Sequence, residues 1–176
     1  PLAPWRSGAR TVPHFCPMAP TLTTPRLTLR PYTAVDRARF VGWFTDPQLM
    51  AHLDGAMTDE QAERLFDELA GLAPRRARIH TAWAVCRDGA HCGHAVLLNE
   101  TEGTEIGYLV AADHQGQGLA TEIAHALVAH GHGALGLPRL VATVDDDNHA
   151  SRRVLEKAGM KPVRREEDED LSLIHI

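Results

Sequence analysis

The stretch EIGYLVAADHQGQGLATEIAHALVAHG, residues 105–131, joins a strand-like segment to a helical segment through a short run containing two glycines. The β-rich run ends near Asp113, Gly116 and Gly118 follow, and apolar residues then recur at helical spacing. Because glycine lacks a Cβ, backbone N–H groups in such a turn can converge on an anion beside the positive end of a helix dipole. The stretch therefore predicts a phosphate or pyrophosphate site built from main-chain amides.

Three known phosphate-binding motifs are candidates for the glycine-containing run 115–120. A nucleotide P-loop needs Lys and Ser or Thr after its last glycine, but Leu119 and Ala120 follow Gly118. A dinucleotide fingerprint needs a third glycine, where Thr121 stands, and a parallel βαβ unit. The remaining signature, Gln/Arg-x-x-Gly-x-Gly/Ala, is satisfied from Gln115 to Ala120. A glycine turn without any ligand is the structural alternative.

Composition favours one soluble globular domain. The chain has 176 residues, of which 44% are hydrophobic and 23% charged, with a net charge of −5. Basic residues form no stripe, which argues against nucleic acid as a partner, and no apolar run reaches the roughly 18 residues of a membrane span. Three scattered cysteines, without a secretory signal, predict free thiols in a cytoplasmic protein. We expect a monomer or a homodimer.

Both ends of the chain differ in character from its middle. Residues 1–17 contain Pro, Gly and Arg without periodicity, and we predict a disordered upstream segment before a domain spanning residues 18–170. Translating CTG TCT CTT ATA CAC ATC gives LSLIHI, residues 171–176, and this DNA resembles a transposon end used in sequencing adapters. We predict that this tail is not native; a genuine short strand is the alternative.

Periodicity predicts the order β-α-α-β-β-β-α-β-α-β, which indicates an α/β (α+β) fold with a central sheet of mixed direction between helices. Short turns containing glycine favour antiparallel neighbours among the three middle strands. The predicted strands cover residues 26–30, 81–86, 92–98, 104–110 and 140–144, with a last strand from Met160, and the helices follow Thr33, Thr58, Gly118 and Asn148.

Three stretches, residues 24–36, 105–122 and 145–160, together resemble the GCN5-related N-acetyltransferase (GNAT) superfamily, in the branch of the ribosomal-protein-alanine acetyltransferases. The similarity runs from about Thr21 to Arg165. It implies a single GNAT-like domain whose mostly antiparallel sheet has splayed fourth and fifth strands. It also implies transfer of acetyl from acetyl-CoA to a primary amine, either a protein N-terminus or a small molecule, within a ternary complex.

The resemblance assigns cofactor-binding residues. Acetyl-CoA would lie where the two strands splay, with backbone groups around Leu109, Val110 and Ala111 holding the pantetheine arm. The Val110 N–H would polarise the acetyl carbonyl and stabilise the oxyanion. Asn148 would contact the cofactor, cap a helix, or do both. The pyrophosphate would bind the amides of Gln115, Gly116, Gln117, Gly118, Leu119 and Ala120.

The resemblance also suggests catalytic groups. Glu105 lies where many relatives carry the carboxylate that accepts the amine proton; a solvent-exposed strand carboxylate is the alternative. The family's tyrosine acid is replaced by Leu155 in VLEKAGM. Ser151 matches a serine that relatives use as the acid, although it could instead bond helix backbone, and a thiolate can also leave unassisted near neutral pH. The missing tyrosine leaves a catalytically inactive CoA-binding sensor as the alternative function.

Two further groups of residues bear on the acceptor pocket and on metal binding. The segment 46–60 is the predicted wall of the acceptor pocket, and its acidic residues Asp54, Asp59 and Glu60 would attract a cation or begin a helix. A second group has metal-ligand chemistry, but its spacing matches no zinc pattern and strand alternation separates its side chains, so we predict no metal. Its members are Cys86, His91, Cys92 and His94.

Overall fold

The computed structural model describes residues 19–53, 55–74, 76, 79–101, 103–166 and 171–175. The predicted upstream segment 1–17 lies outside these residues. The strands are β1 (Leu22–Thr23), β2 (Thr28–Arg30), β3 (Ile79–Arg87), β4 (Ala90–Glu100), β5 (Gly103–Val110), β6 (Leu140–Asp145), β7 (Lys161–Glu166) and β8 (Leu171–His175). The helices are α1 (Arg37–Phe44), α2 (Asp59–Leu69), α3 (Leu119–Ala129) and α4 (His149–Lys157).

The described strands form one sheet in the order β1-β2-β3-β4-β5-β6-β8-β7. Neighbouring strands are antiparallel except for β5 and β6, which are parallel. The predicted mixed, mostly antiparallel sheet is therefore confirmed. The fourth and fifth predicted strands correspond to β5 and β6. The numbering shifts by one because β1, which has only two residues and was not predicted, comes first in the chain.

Each face of the sheet carries its own apolar core. Trp83 of β3 and Leu140 of β6 pack with Ile123 of α3 and Leu155 of α4 on one face. On the other face, a second cluster of buried residues contains aromatic side chains of α1 and α2, including Phe40 and Phe66, and aliphatic side chains of β4 and β5. Burying both faces explains why the central strands are almost continuously apolar.

Local signals set the helix starts. The side chains of Thr58 and Gln61 form a capping box before α2, and the helix begins directly after Thr58, as predicted. Thr33 and Asp36 form a second box, but a 3₁₀ turn occupies Ala34–Asp36, so α1 begins later than predicted. No helix among the described residues is long and apolar enough to cross a membrane.

Two features depart from the predicted order. A π-helical turn, His130–Ala134, continues α3, and there Gly131 lies so close to Leu140 that an added Cβ would meet its side chain at 2.9 Å. The second feature is β8, residues 171–175, which pairs with β6 on one side and β7 on the other. This is the geometry of a genuine strand, while the adapter origin of residues 171–176 stays a prediction.

Candidate active site

The central feature of the site is a gap between β5 and β6. These strands pair only at Thr104 with Leu140 and at Glu105 with Val141. The Thr104 N–H donates to the carbonyl oxygen of Arg139 at 3.3 Å, at the closed end of the gap. Beyond Glu105, no described strand pairs with this side of β5, so its backbone groups are available to an extended ligand.

Strand alternation shows which backbone groups face the gap. On the opposite side of β5, the Ala111 N–H donates to the Cys92 carbonyl oxygen of β4 at 2.9 Å. Because alternate residues of an antiparallel strand bond to the same neighbour, Leu109 also directs its backbone groups to β4, where it pairs with His94. Tyr108 and Val110 therefore direct their N–H groups towards the gap.

Gln115 fixes the peptide at the end of β5. Its side-chain Nε2 donates to the Val110 carbonyl oxygen at 2.9 Å. Its backbone N–H donates to the Ala112 carbonyl oxygen at 3.3 Å, within a 3₁₀ turn. Gln115 therefore contributes its side chain to the orientation of Val110, and its amide is not available to a phosphate in this conformation.

The glycine run between β5 and α3 has the geometry predicted for an anion site. Gly116 and Gly118 have φ values of 72° and 75°, in the left-handed region that favours glycine. Gly118 is the N-cap of α3 and provides no side-chain cap to the first turn. Among the described residues, the amides of Gly116, Gln117 and Gly118 have no hydrogen-bond acceptor. These donors therefore lie beside the positive end of the helix dipole.

Two arginines hold this loop from outside. Arg26 donates to the Gln117 carbonyl oxygen at 2.8 Å and pairs with Glu122 of α3 at 2.7 Å. Arg87 donates to the side-chain oxygen of Gln117. Neither arginine could be predicted from the local pattern, because each lies at least 30 residues from the loop along the chain. They place positive charge next to the unpaired amides.

Glu105 lies at the closed end of the gap, on the face covered by α1 and α2. Leu109, four residues further along β5, packs in the core of that face, whereas Ile106 and Val110 belong to the opposite core. The Glu105 Oε1 accepts a hydrogen bond from the Thr143 N–H of β6 at 3.2 Å. The carboxylate thus spans the two strands where they begin to diverge.

Ser151 and Tyr108 meet across the gap on the α4 side. Their hydroxyl oxygens are 2.9 Å apart, and the Tyr108 hydroxyl also lies 3.4 Å from the Ser151 carbonyl oxygen. Asn148 is the N-cap of α4, and its Oδ1 accepts from the Ser151 N–H at 3.0 Å. The Ser151 hydroxyl therefore contacts a phenol rather than helix backbone, and the N-cap role of Asn148 is confirmed.

Leu155 lies at the position where the superfamily carries its tyrosine acid. Its side chain is only 1% exposed and packs in the core beneath α4. No proton donor is available from this position.

The predicted acceptor wall approaches the open side of the gap. His52, in the segment between α1 and α2, has its Nδ1 3.2 Å from Asp145 at the end of β6 and 3.5 Å from Asp147. Asp59 and Glu60 are exposed in the first turn of α2, where negative charge favours a helix. Asp54 lies outside the described residues. The contact of His52 brings segment 46–60 to the same sheet end as the gap.

A buried tyrosine–histidine pair lies below that wall. The Tyr32 hydroxyl is hydrogen-bonded to the His94 Nδ1 at 2.6 Å, and the two rings pack with Phe40. Burial lowers the pKa of His94 to about 3, so the imidazole is neutral. His94 packs against α1 whereas Cys92 packs in the α3 core. Regular alternation would place these two residues on one face, but the β3–β4 register shifts between Val85 and Cys86, next to Cys92, and this irregularity separates them.

Within the described ranges, the side chains close enough together to share a metal ion are those of His52, Asp145 and Asp147. All three are at least partly exposed, and none belongs to the cysteine and histidine group on β3 and β4 that has metal-ligand chemistry. We assign no metal to them.

Comparisons with known proteins agree with this geometry. Residues 26–161 match the acetyltransferase (GNAT) domain family. An uncharacterized N-acetyltransferase of Bacillus subtilis, YoaA, is 31% identical over 151 residues, which cover 82% of this chain and 84% of YoaA.

Solved structures give the same result. An acetyltransferase from Agrobacterium tumefaciens superposes with a TM-score of 0.74 at 26% identity, covering 90% of this chain and 94% of that one. RimJ of Mycobacterium smegmatis, solved in complex with CoA-disulfide, superposes with a TM-score of 0.66 at 26% identity, covering 85% of this chain and 81% of RimJ.

Proposed function

Because this chain belongs to the GNAT family of acetyltransferases, we propose that it transfers acetyl from acetyl-CoA to a primary amine by direct attack within a ternary complex. The observation that carries this proposal is the gap between β5 and β6, into which the Val110 N–H points. The structure of the similar RimJ with CoA-disulfide supports a CoA thioester as the donor.

The residues around the gap suit two parts of acetyl-CoA, the pantetheine arm and the pyrophosphate. The pantetheine arm would lie along β5 like an added strand, hydrogen-bonded to backbone groups of Tyr108 and Val110. Leu109 was predicted to share this role, but its pairing with β4 leads us to propose Tyr108 instead. The pyrophosphate would bind amides in the run 116–120, next to Arg26 and Arg87.

The chemical step requires a neutral amine, a place for its proton and a stabilised leaving group. The amine nitrogen attacks the thioester carbon, and the Val110 N–H stabilises the resulting oxyanion, a donor that is worth about 2.7–4 kcal/mol in other enzymes. Glu105 takes the proton from the nitrogen, directly or through a water. The C–S bond then breaks, and the Ser151 hydroxyl stabilises the departing thiolate.

Isothermal titration calorimetry with CoA and acetyl-CoA, together with an assay of thiol release over an amine panel, tests this proposal. The panel contains peptides with free N-terminal alanine, polyamines and aminoglycosides. We expect binding of both ligands, and thiol release that depends on one class of amine. Binding without an acetylated product would instead favour the CoA-binding sensor, which the buried Leu155 at the tyrosine position leaves as the second candidate.

A further inference from the structure

Tyr108 is connected to both sides of the gap. Its backbone belongs to β5, while its side chain crosses to α4 and places the phenol oxygen 2.9 Å from the Ser151 Oγ. Its ring is half-buried and packs against the α3–α4 core, so the phenol is held in place by the packing of the fold. Any ligand that fills the gap along β5 must pass this hydroxyl pair.

Two arrangements of the hydroxyl protons are possible. In the first, Tyr108 donates to the Ser151 Oγ, which leaves the serine proton free to point into the gap. In the second, Ser151 donates to Tyr108, and Tyr108 donates to the Ser151 carbonyl oxygen 3.4 Å away. The 2.9 Å contact between the two hydroxyls is present in both arrangements, but only the second also needs the 3.4 Å bond to the carbonyl oxygen. Because O–H···O bonds cluster between about 2.5 and 3.0 Å, that long bond is weak and the first arrangement is favoured.

Ser151 is held by two independent contacts. The Asn148 Oδ1 accepts from its backbone N–H at 3.0 Å, which fixes the main chain at the third residue of α4. Tyr108 then fixes the side-chain oxygen from the opposite side of the gap. A serine on an exposed helix start would rotate between alternative partners, whereas this one has its rotamer set by a group on another element.

From this geometry we infer that Tyr108 is a positioning residue for the proposed acetyl transfer: its phenol donates to the Ser151 Oγ and directs the serine proton towards the sulfur of the leaving thiolate. This inference rests on the function proposed above. It explains how α4 can assist the leaving group although Leu155 replaces the family's tyrosine.

The assistance is hydrogen bonding and not proton transfer. Burial raises the pKa of Tyr108 to about 12, whereas an alkyl thiol has a pKa of about 8.5. Moving a proton from the phenol through Ser151 to the thiolate would therefore be uphill by more than three pK units. The sulfur keeps its electron pair, accepts a hydrogen bond as the C–S bond breaks, and is protonated by solvent after release.

The test is a double-mutant cycle of Tyr108→Phe and Ser151→Ala, measured as kcat, KM for acetyl-CoA and melting temperature. We expect each single variant to lower kcat about tenfold, the value of one hydrogen bond to developing charge, with little change in KM. The double variant should be no slower than Ser151→Ala, because Tyr108 acts only through Ser151. Additive losses would overturn the inference.

Tyr32→Phe is the matched control. It removes a buried phenol oxygen that bonds to His94 inside the α1–α2 core, on the face of the sheet opposite to Tyr108. It should lower the melting temperature and leave kcat unchanged. If Tyr108→Phe keeps the kcat of the wild type, the inference about Tyr108 is overturned while the proposed function stands. Absence of thiol release by the wild type would overturn the proposed function as well, and the two failures are therefore distinguishable.

Discussion

The Glu105 carboxylate accepts a hydrogen bond from the Thr143 N–H at 3.2 Å, across the point where β5 and β6 separate. This contact satisfies a backbone donor of β6 close to where the strand pairing ends. It also holds the carboxylate on the side of the sheet that the predicted acceptor wall covers. A strand carboxylate in this position is suited to receive a proton from an incoming amine.

Replacing Glu105 with Gln separates these two roles. The amide oxygen of Gln can still accept from Thr143, but the side chain can no longer take a proton. We expect kcat to fall about 10²-fold or more near neutral pH and to recover partly at high pH, where more of the amine is neutral. Steady-state rates from pH 6 to 10 give the result.

Glu63→Gln is the control for that substitution, because Glu63 is a partly exposed carboxylate of α2 that pairs with Arg37. It should leave kcat unchanged. If Glu105→Gln reproduces the rates of the wild type at every pH, Glu105 is not the base.

Replacing Gly118 with Ala should weaken CoA binding. The φ of 75° places an alanine in the left-handed region, at a cost of about 1–2 kcal/mol. The loop would have to relax, and its amides would no longer converge on the phosphate. We expect a lower melting temperature and at least a tenfold higher Kd for CoA by calorimetry.

Gly42→Ala is the paired substitution. Gly42 lies inside α1, has ordinary helical backbone, and an added Cβ would meet nothing within 4 Å. Alanine there should raise stability by about 0.5–1 kcal/mol and leave the Kd for CoA unchanged. Equal affinity losses in both variants would contradict a specific role for the glycine run.

Hydrogen exchange tests the backbone orientation in β5 without any mutation. The amides of Gly107 and Leu109 face β4 and should exchange slowly, while those of Tyr108 and Val110 face the gap and should exchange faster. Adding acetyl-CoA should slow Val110 strongly. Exchange measured by NMR would refute the proposed orientation if Leu109, and not Val110, gained protection.

The stability of the protein should depend on pH through His94. Its pKa in the folded protein is about 3 and its unfolded value about 6.5, so the unfolded chain binds a proton first as the pH falls. Above pH 6.5, His94 therefore has no effect on how stability varies with pH. As the pH falls from 6.5 to about 3, His94 lowers the free energy of unfolding by up to about 1.4 kcal/mol per pH unit.

Urea unfolding of the wild type and of His94→Phe at several pH values measures this slope. The variant should be less stable at pH 7, because the Tyr32 hydroxyl loses its hydrogen-bond partner, but its stability should fall less steeply towards low pH. His125→Gln, on the exposed face of α3, should keep the slope of the wild type. An unchanged slope in His94→Phe would show that other groups dominate the pH dependence.

Local signals were enough to predict much of the fold and part of the site. Gly116 and Gly118 were predicted to shape the loop, and both have positive φ values. Glu105 and Val110 are an odd number of residues apart on one strand, so alternation alone places them on opposite faces of β5, in agreement with the two cores. Asn148 was predicted to cap a helix and does so. Each of these features depends on neighbouring residues, whose chemistry can be read directly in the chain.

The features that have no signal in the local sequence depend on contacts between residues far apart in the chain. Tyr108 and Ser151 are 43 residues apart, and nothing in either local pattern indicates that their hydroxyls meet. Arg26 reaches the glycine loop from 91 residues away. Leu109 was predicted to bind cofactor because the resemblance places the pantetheine arm on this part of the strand, but backbone direction alternates along a strand and depends on the register with β4.

The short parallel pairing of β5 and β6 has a consequence for heat resistance. β5 and β6 are joined by two paired positions and by the apolar core beneath α3 and α4. A pantetheine arm between them would supply backbone hydrogen bonds that the sheet lacks there. Any ligand that binds only the folded state raises its melting point by mass action. The thermal tolerance of this enzyme should therefore rise and fall with the CoA supply around it.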